Sequence, residues 1–349
     1  MNTYLTEARG LVAQHLTDYL AHAQQKTLTF QPWGPDVAHR INEYALRGKM
    51  IRGALVGFSY RLFHPEGEVP QSCIEAGAAM ELLQSFLLIH DDIMDQDEVR
   101  RGGPAIHAQY AAAAPDDEAT AQYGLSLGIC VGDVSAFLAM ERLATMDEHD
   151  SLRNRIVALV AREISLVGLA QMQDVHHGYV DEADDQEIMN VYTYKTGRYT
   201  FSLPLMIGAI LAGADDASVE GLARFGEHAG RIFQIRDDQL GLLGAGDRIG
   251  KPEGSDIRED KKTPFRNALM SCLPSDSPVR NSFGAKTLSA TDINAVREAL
   301  EYYGIQDAVE DSVARDERSA RAEIAALTLS PEGTRALEEL LNYNLKRTV

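Results

Sequence analysis

Residues 82–107 read LLQSFLLIHDDIMDQDEVRRGGPAIH: a mostly apolar run that turns acidic and then basic. On a helix, Asp91 and Asp95 are i and i+4 neighbours on one face, with Asp92 beside them. Like charges at that spacing repel, and aspartate is a poor helix former. A helix that ends an apolar run in this way needs a compensating cation. Hard carboxylate oxygens in a loose array suit magnesium, which keeps several waters and is completed by substrate phosphates. Arg100 and Arg101 then supply planar forks shaped for phosphate oxygens. Gln84, seven residues before Asp91, extends the polar stripe up the apolar wall. A lone pair of carboxylates is more often a solvated helix end. The apolar run before this one and the arginine pair after it argue for a site.

A second acidic cluster lies in residues 225–264, FGEHAGRIFQIRDDQLGLLGAGDRIGKPEGSDIREDKKTP. Phe233, Gln234 and Ile235 lead into Asp237 and Asp238, again where an apolar helix meets polar residues. A glycine-rich stretch then delivers Lys251, Asp256, Lys261 and Lys262. Backbone amides at glycines together with lysine ammoniums can cradle phosphate, and residues 244–262 have the composition of a mobile lid. The order GxxxxGK[ST] is absent, which excludes a P-loop. Two helices ending in aspartates and followed by cations can face one another across a bundle, where inward carboxylates build metal sites.

The rest of the chain is helical in pattern. Apolar residues recur at three- and four-residue intervals near 2–25, 35–62, 70–98, 116–146, 150–178, 184–213 and 216–243, and no run of strands with hairpin signals occurs. The expected fold is all-α, one domain over residues 1–349, with about ten or more helices around a central apolar cavity. An apolar fraction of 45% is ample for such a core. The net charge of −19 argues against nucleic-acid binding, which needs a basic footprint. It permits a small polyphosphate ligand with magnesium between the anions. No secretory h-region stands at the N-terminus, and the longest nearly apolar stretch, Phe201 to Ala214, is too short to span a bilayer. A cytoplasmic protein is expected, with Cys73, Cys130 and Cys272 as buried free thiols.

These motifs resemble the trans-polyprenyl diphosphate synthases, such as farnesyl and geranylgeranyl diphosphate synthases, over about residues 40 to 270. The resemblance rests on Asp91, Asp92, Asp95, Arg100, Arg101 and Gly102 as the DDxxD…RRG element, and on Phe233, Gln234, Asp237 and Asp238 as FQxxDD. Smaller matches are Lys49 and Arg52, Gln171 and Asp174, Lys195 and Thr196, and the lid lysines Lys251 and Lys261. The resemblance implies magnesium, about three ions per site, held by Asp91, Asp95 and Asp237. It implies an allylic diphosphate bound through Arg100, Lys195, Lys251 and Lys261, and isopentenyl diphosphate bound through Lys49, Arg52, Gln84 and Arg101. Thr196, Gln234 and the Lys195 carbonyl would steady a carbocation. Phe86 and Leu87, five and four residues before Asp91, would limit product length to fifteen or twenty carbons. The family also suggests a homodimer. One departure stands out: the second motif usually closes on a third aspartate, and position 241 is glycine.

Other readings fit less well. A terpene cyclase needs an Asn/Asp, Ser/Thr, Glu motif that is missing after Phe225, and squalene-synthase-like enzymes lack the arginine pair and lysine lid. A non-catalytic partner subunit tends to lose aspartates that this chain keeps. An acidic helical scaffold would gain no stability from magnesium and pyrophosphate.

Overall fold

The computed structural model describes residues 3–115, 120–243, 254–285 and 287–347. Its order is α1 (Thr3–Lys26), α2 (Trp33–Leu46), α3 (Ile51–Phe63), α4 (Gln71–Met94), α5 (Ile106–Ala112), α6 (Thr120–Ala144), α7 (Asp150–His177), α8 (Asp185–Val191), a π-helix (Tyr192–Ser202), α9 (Leu203–Leu211) and α10 (Asp216–Leu243). The helices Ser255–Arg258, Pro264–Cys272, Ala290–Tyr302, Ile305–Ala326 and Pro331–Leu345 follow. Strand among the described residues is confined to a two-residue antiparallel pair, Val99–Arg100 with Gly103–Pro104. The all-α expectation holds.

The chain divides into two compact units, Met1–Ala161 with Pro204–Val219, and Arg162–Leu203 with Glu220–Val349. In the first, α4 packs against α1, α2, α3 and α6. Its residues from Ser72 to Ser85 are buried on nearly every side, which is why the sequence there is apolar all round rather than striped. The helix runs out at the acidic residues, with Asp95 as its C-cap. The helix expected over 35–62 is broken at 47–50, where Met50 takes a left-handed conformation. Apolar spacing continues across the break, so periodicity alone could not reveal it.

In the second unit the π-helix packs on α10. Gly197 and Gly230 touch: a Cβ on Gly230 would come within 2.2 Å of the Gly197 Cα, so only glycine permits this approach. Phe201 meets Phe233 edge to face at 5.5 Å, and Phe225 is fully buried, worth roughly 1.5–3 kcal/mol. Arg198 reaches from the π-helix to both oxygens of the buried Glu163 on α7 and to Glu227 on α10. Asp316 on the Ile305–Ala326 helix accepts from His228 and Arg231 of α10. The wider turn of a π-helix is a common device at functional sites. Here it carries Lys195 and Thr196.

Two expectations need correction. Cys73 is buried, but Cys130 and Cys272 are exposed, because an apolar neighbourhood in sequence does not fix which side of a helix faces inward. Three helices, Gln71–Met94, Thr120–Ala144 and Asp150–His177, are also long and apolar enough to cross a membrane by length and composition. The apolar window of the first is 78% buried within the protein, and those of the other two are 39% and 33% buried.

Candidate active site

The first acidic cluster forms where α4 gives way to the Arg100–Gly103 turn. Arg101 and Gly102 both have positive φ, at 53° and 74°, as a type I′ hairpin turn requires. This tight reversal returns Arg100 to α4. Its Nε donates to Asp92 Oδ1, and its Nη2 lies 2.9 Å from Asp97 and 3.9 Å from Asp91. Asp92 is completely buried and takes a second hydrogen bond, 2.7 Å, from the Tyr44 hydroxyl of α2. Burial pushes the Asp92 carboxyl above the usual aspartate range, although Arg100 and Tyr44 pull the other way. Asp91 is partly exposed and Asp95 is exposed. The pair one helical turn apart is therefore the accessible one, and Asp92 is the anchor.

The residues expected to bind a second diphosphate gather on the same unit. Arg101 lies over Gly48, where a Cβ would be 2.3 Å from its Nη1, so it sits beside the exposed Lys49. Glu81, buried on α4, accepts from the Gly53 amide at 2.8 Å. Burial raises its pKa, while the Gly53 amide and the charges of Arg52 and Arg101 oppose that rise. Gln84 is buried, and its carboxamide oxygen takes no hydrogen bond among the described residues. Phe86 stands edge-on to His90 at 4.9 Å, and both Phe86 and Leu87 are partly exposed. His90 Nε2 also lies 3.2 Å from the Ile129 carbonyl oxygen and 3.6 Å from Asp133.

The second cluster is built by α7, the π-helix, α10 and the segment after Gly254. Lys195 Nζ donates to Asp174 Oδ2 at 2.6 Å, and Thr196 Oγ1 donates to Gln234 Oε1 at 2.8 Å. Gln234 Nε2 in turn donates to Asp238 Oδ1 at 3.0 Å. Asp238 is buried and also accepts from Lys261 Nζ at 2.9 Å and from the Tyr192 hydroxyl. Burial disfavours the Lys261 ammonium, but Asp238 and Asp256 outweigh it and hold its pKa above the usual lysine value. Asp174, Tyr192, Lys195, Thr196, Gln234 and Lys261 line a cavity of about 70 Å³. Gln171 lies one turn before Asp174 on α7 and is half-buried. Lys251 lies outside the described residues.

Position 241 explains itself. A Cβ on Gly241 would lie 2.2 Å from Asp256 Oδ2, so the carboxylate of Asp256 occupies the space of the missing third aspartate. Asp237, half-exposed, pairs with Arg347 at 2.9 Å, and the Arg347 guanidinium stacks 3.8 Å from the centre of the Phe233 ring. Sequence reasoning missed Tyr44, Tyr192 and Arg347, and named Asp256 only as one charge of the glycine-rich stretch.

Asp91 and Asp95 in the first unit, and separately Asp237 in the second, each present accessible carboxylate oxygens, the hard donors that suit a divalent cation. Among the described residues no group of three or more His, Cys, Asp or Glu side chains is gathered as a metal cluster.

The profile of the polyprenyl synthetase family matches residues 35–302. The chain belongs to that family. Geranylgeranyl diphosphate synthase of Sulfolobus acidocaldarius is 33% identical to this chain over 262 residues, 74% of each chain. Geranylfarnesyl diphosphate synthase of Natronomonas pharaonis is 30% identical over 283 residues, 79% of this chain and 75% of that one. Among solved structures, geranylgeranyl pyrophosphate synthase of Corynebacterium glutamicum, complexed with isoprenyl diphosphate and magnesium, superposes with a TM-score of 0.89 at 25% identity, covering 99% of both chains. These likenesses carry the all-α isoprenoid synthase fold to this chain.

Proposed function

We propose that this polyprenyl synthetase is a magnesium-dependent, chain-elongating prenyltransferase. It condenses isopentenyl diphosphate head-to-tail with an allylic diphosphate, releasing pyrophosphate; geranylgeranyl diphosphate is the expected product and farnesyl diphosphate the next choice. The observation that carries this reading is that each motif pairs an accessible aspartate with a buried one that holds a cation, Arg100 in the first and Lys261 in the second. Such fixed charges suit the departure of a diphosphate.

About three magnesium ions, bound by Asp91, Asp95 and Asp237 with Asp256 in support, would neutralise the diphosphate when present. Arg100, Lys195, Lys251 and Lys261 bind the allylic diphosphate and stabilise the pyrophosphate as the allylic C–O bond breaks. Lys49, Arg52, Gln84 and Arg101 hold isopentenyl diphosphate, whose double bond attacks the allylic carbon. Thr196 and Gln234 present oxygens to the carbocation, Gln171 and Asp174 belong to the substrate-binding set, with Asp174 holding Lys195, and Asp92 and Asp238 are the anchors described above. The proton released after C–C bond formation passes to the departing pyrophosphate. Apolar surroundings protect the cation from water.

The enzyme acts in the cytoplasm as a homodimer, without a membrane span. Ile129 and Phe137 on α6, two turns apart and 46% and 75% exposed, are suited to a second copy of this chain. Incubating purified protein with labelled isopentenyl diphosphate and each allylic primer, with products weighed by mass spectrometry, tests the reaction. No elongation with any primer would refute it. Sedimentation analysis tests the dimer.

A further inference from the structure

The two aspartate pairs share a device that the motifs themselves do not include. In the first, the buried Asp92 receives Arg100 on Oδ1 and the Tyr44 hydroxyl on Oδ2. In the second, the buried Asp238 receives Lys261 on Oδ1 and the Tyr192 hydroxyl on Oδ2. Each carboxylate thus gives one oxygen to a cation, shared with Gln234 Nε2 in the second motif, and the other to a tyrosine. Tyr44 and Tyr192 come from different elements, α2 and the π-helix, and both are buried. We propose that Tyr44 and Tyr192 are positioning residues, each locking the second aspartate of its motif so that Arg100 or Lys261 is presented to substrate diphosphate in one fixed geometry.

The physical reason lies in burial. A carboxylate out of water must have both oxygens hydrogen-bonded, because an unsatisfied one carries the full desolvation penalty. A cation alone would satisfy one oxygen and leave the aspartate free to turn about its side-chain torsion, taking the cation with it. A tyrosine on the other oxygen removes that freedom. Tyrosine suits the task because its ring packs in the core and it offers a single hydroxyl at a fixed reach. Burial next to a carboxylate pushes both phenols well above their ordinary pKa, so each stays a donor throughout the working pH range. Exact placement matters, since a charge misplaced by about 1 Å can cost on the order of a hundredfold in rate. Both hydroxyls are given to a carboxylate, and each tyrosine acts through its aspartate and cation.

The proposal rests on the synthase reading, and the test separates the two. Tyr44→Phe and Tyr192→Phe are combined with Arg100→Met and Lys261→Met respectively, in the full chain. Binding of inorganic pyrophosphate with magnesium is measured by calorimetry, alongside kcat and KM for the allylic diphosphate and the Tm of each free protein. Each tyrosine variant is expected to weaken pyrophosphate binding roughly tenfold while its circular dichroism stays native. In the background lacking the paired cation the same variant should cost nothing further, because its effect travels through that cation. Pyrophosphate binding within twofold of wild type would overturn the proposal. So would an equal loss in both backgrounds, which is what a merely structural tyrosine gives. Wild-type protein that binds magnesium pyrophosphate yet elongates no primer would refute the synthase reading instead and leave the coupling result standing.

Discussion

The carboxylate of Asp256 sits where a side chain on Gly241 would be, with 2.2 Å between Oδ2 and the position of a Cβ. Such a distance is far inside van der Waals contact, so a third motif aspartate and Asp256 in its present place exclude one another. The acid that the motif lacks has moved to the short helix Ser255–Arg258, directly before Lys261. Asp256→Ala should therefore behave like loss of a motif aspartate, weakening magnesium-dependent pyrophosphate binding by roughly 10-fold or more. Gly241→Asp alone should also lose activity, through collision and charge repulsion. The double variant Gly241→Asp with Asp256→Gly should recover part of it. No recovery over either single variant, in rates or in calorimetric binding, would show that the two positions are not exchangeable.

Arg347 gives a second prediction. Its guanidinium neutralises Asp237, the accessible acid of the second pair, while stacking on Phe233. A magnesium ion at Asp237 must replace that pairing. Arg347→Met keeps the stacking length and removes the charge. The magnesium concentration for half-maximal stabilisation by pyrophosphate should fall by up to about fivefold, the scale of an exposed ion pair. A rise in that concentration would mean that Arg347 helps to bind the anion rather than competing with the metal.

How much of this was legible in the sequence follows from how local each feature is. Asp91, Asp92, Asp95, Arg100 and Arg101 stand within eleven residues, and the apolar-to-acidic change is visible to the eye. The helices were legible because burial repeats with the helical period. The break between α2 and α3 was not, because Met50 is apolar and keeps the pattern while its backbone turns left-handed. The π-helix was hidden for a similar reason, since its apolar residues fit a 3.6 period well enough. Tyr44, Tyr192 and Arg347 were illegible because their partners Asp92, Asp238 and Asp237 are far away in the chain. Which tyrosine reaches which aspartate is decided by packing, as where Gly197 meets Gly230.

Product length should respond to Phe86. Its ring lies against His90 one turn before the first aspartate pair, and in the proposed function it closes the path of the growing chain. Phe86→Ala should shift the products to polyprenyl diphosphates longer by at least one isoprene unit, with little change in the first condensation. An unchanged product distribution by mass spectrometry would remove Phe86 from that role.

Stability should depend on pH through Asp316. Burial works against its carboxylate, but hydrogen bonds from His228 and Arg231 of α10 outweigh burial and hold its carboxyl below the usual aspartate range. A folded-state pKa below the unfolded one means that stability is present above the unfolded value, near pH 4, and is lost as pH falls through the folded one. Asp316→Asn should therefore cost about 3 kcal/mol at pH 7, because it leaves Arg231 part-buried without its counter-charge. Urea unfolding of both proteins from pH 7 to pH 3 should show a constant gap down to about pH 4 that closes below it. A gap of the same size at pH 3 would mean that packing at Asp316, and not its charge, ties the Ile305–Ala326 helix to α10.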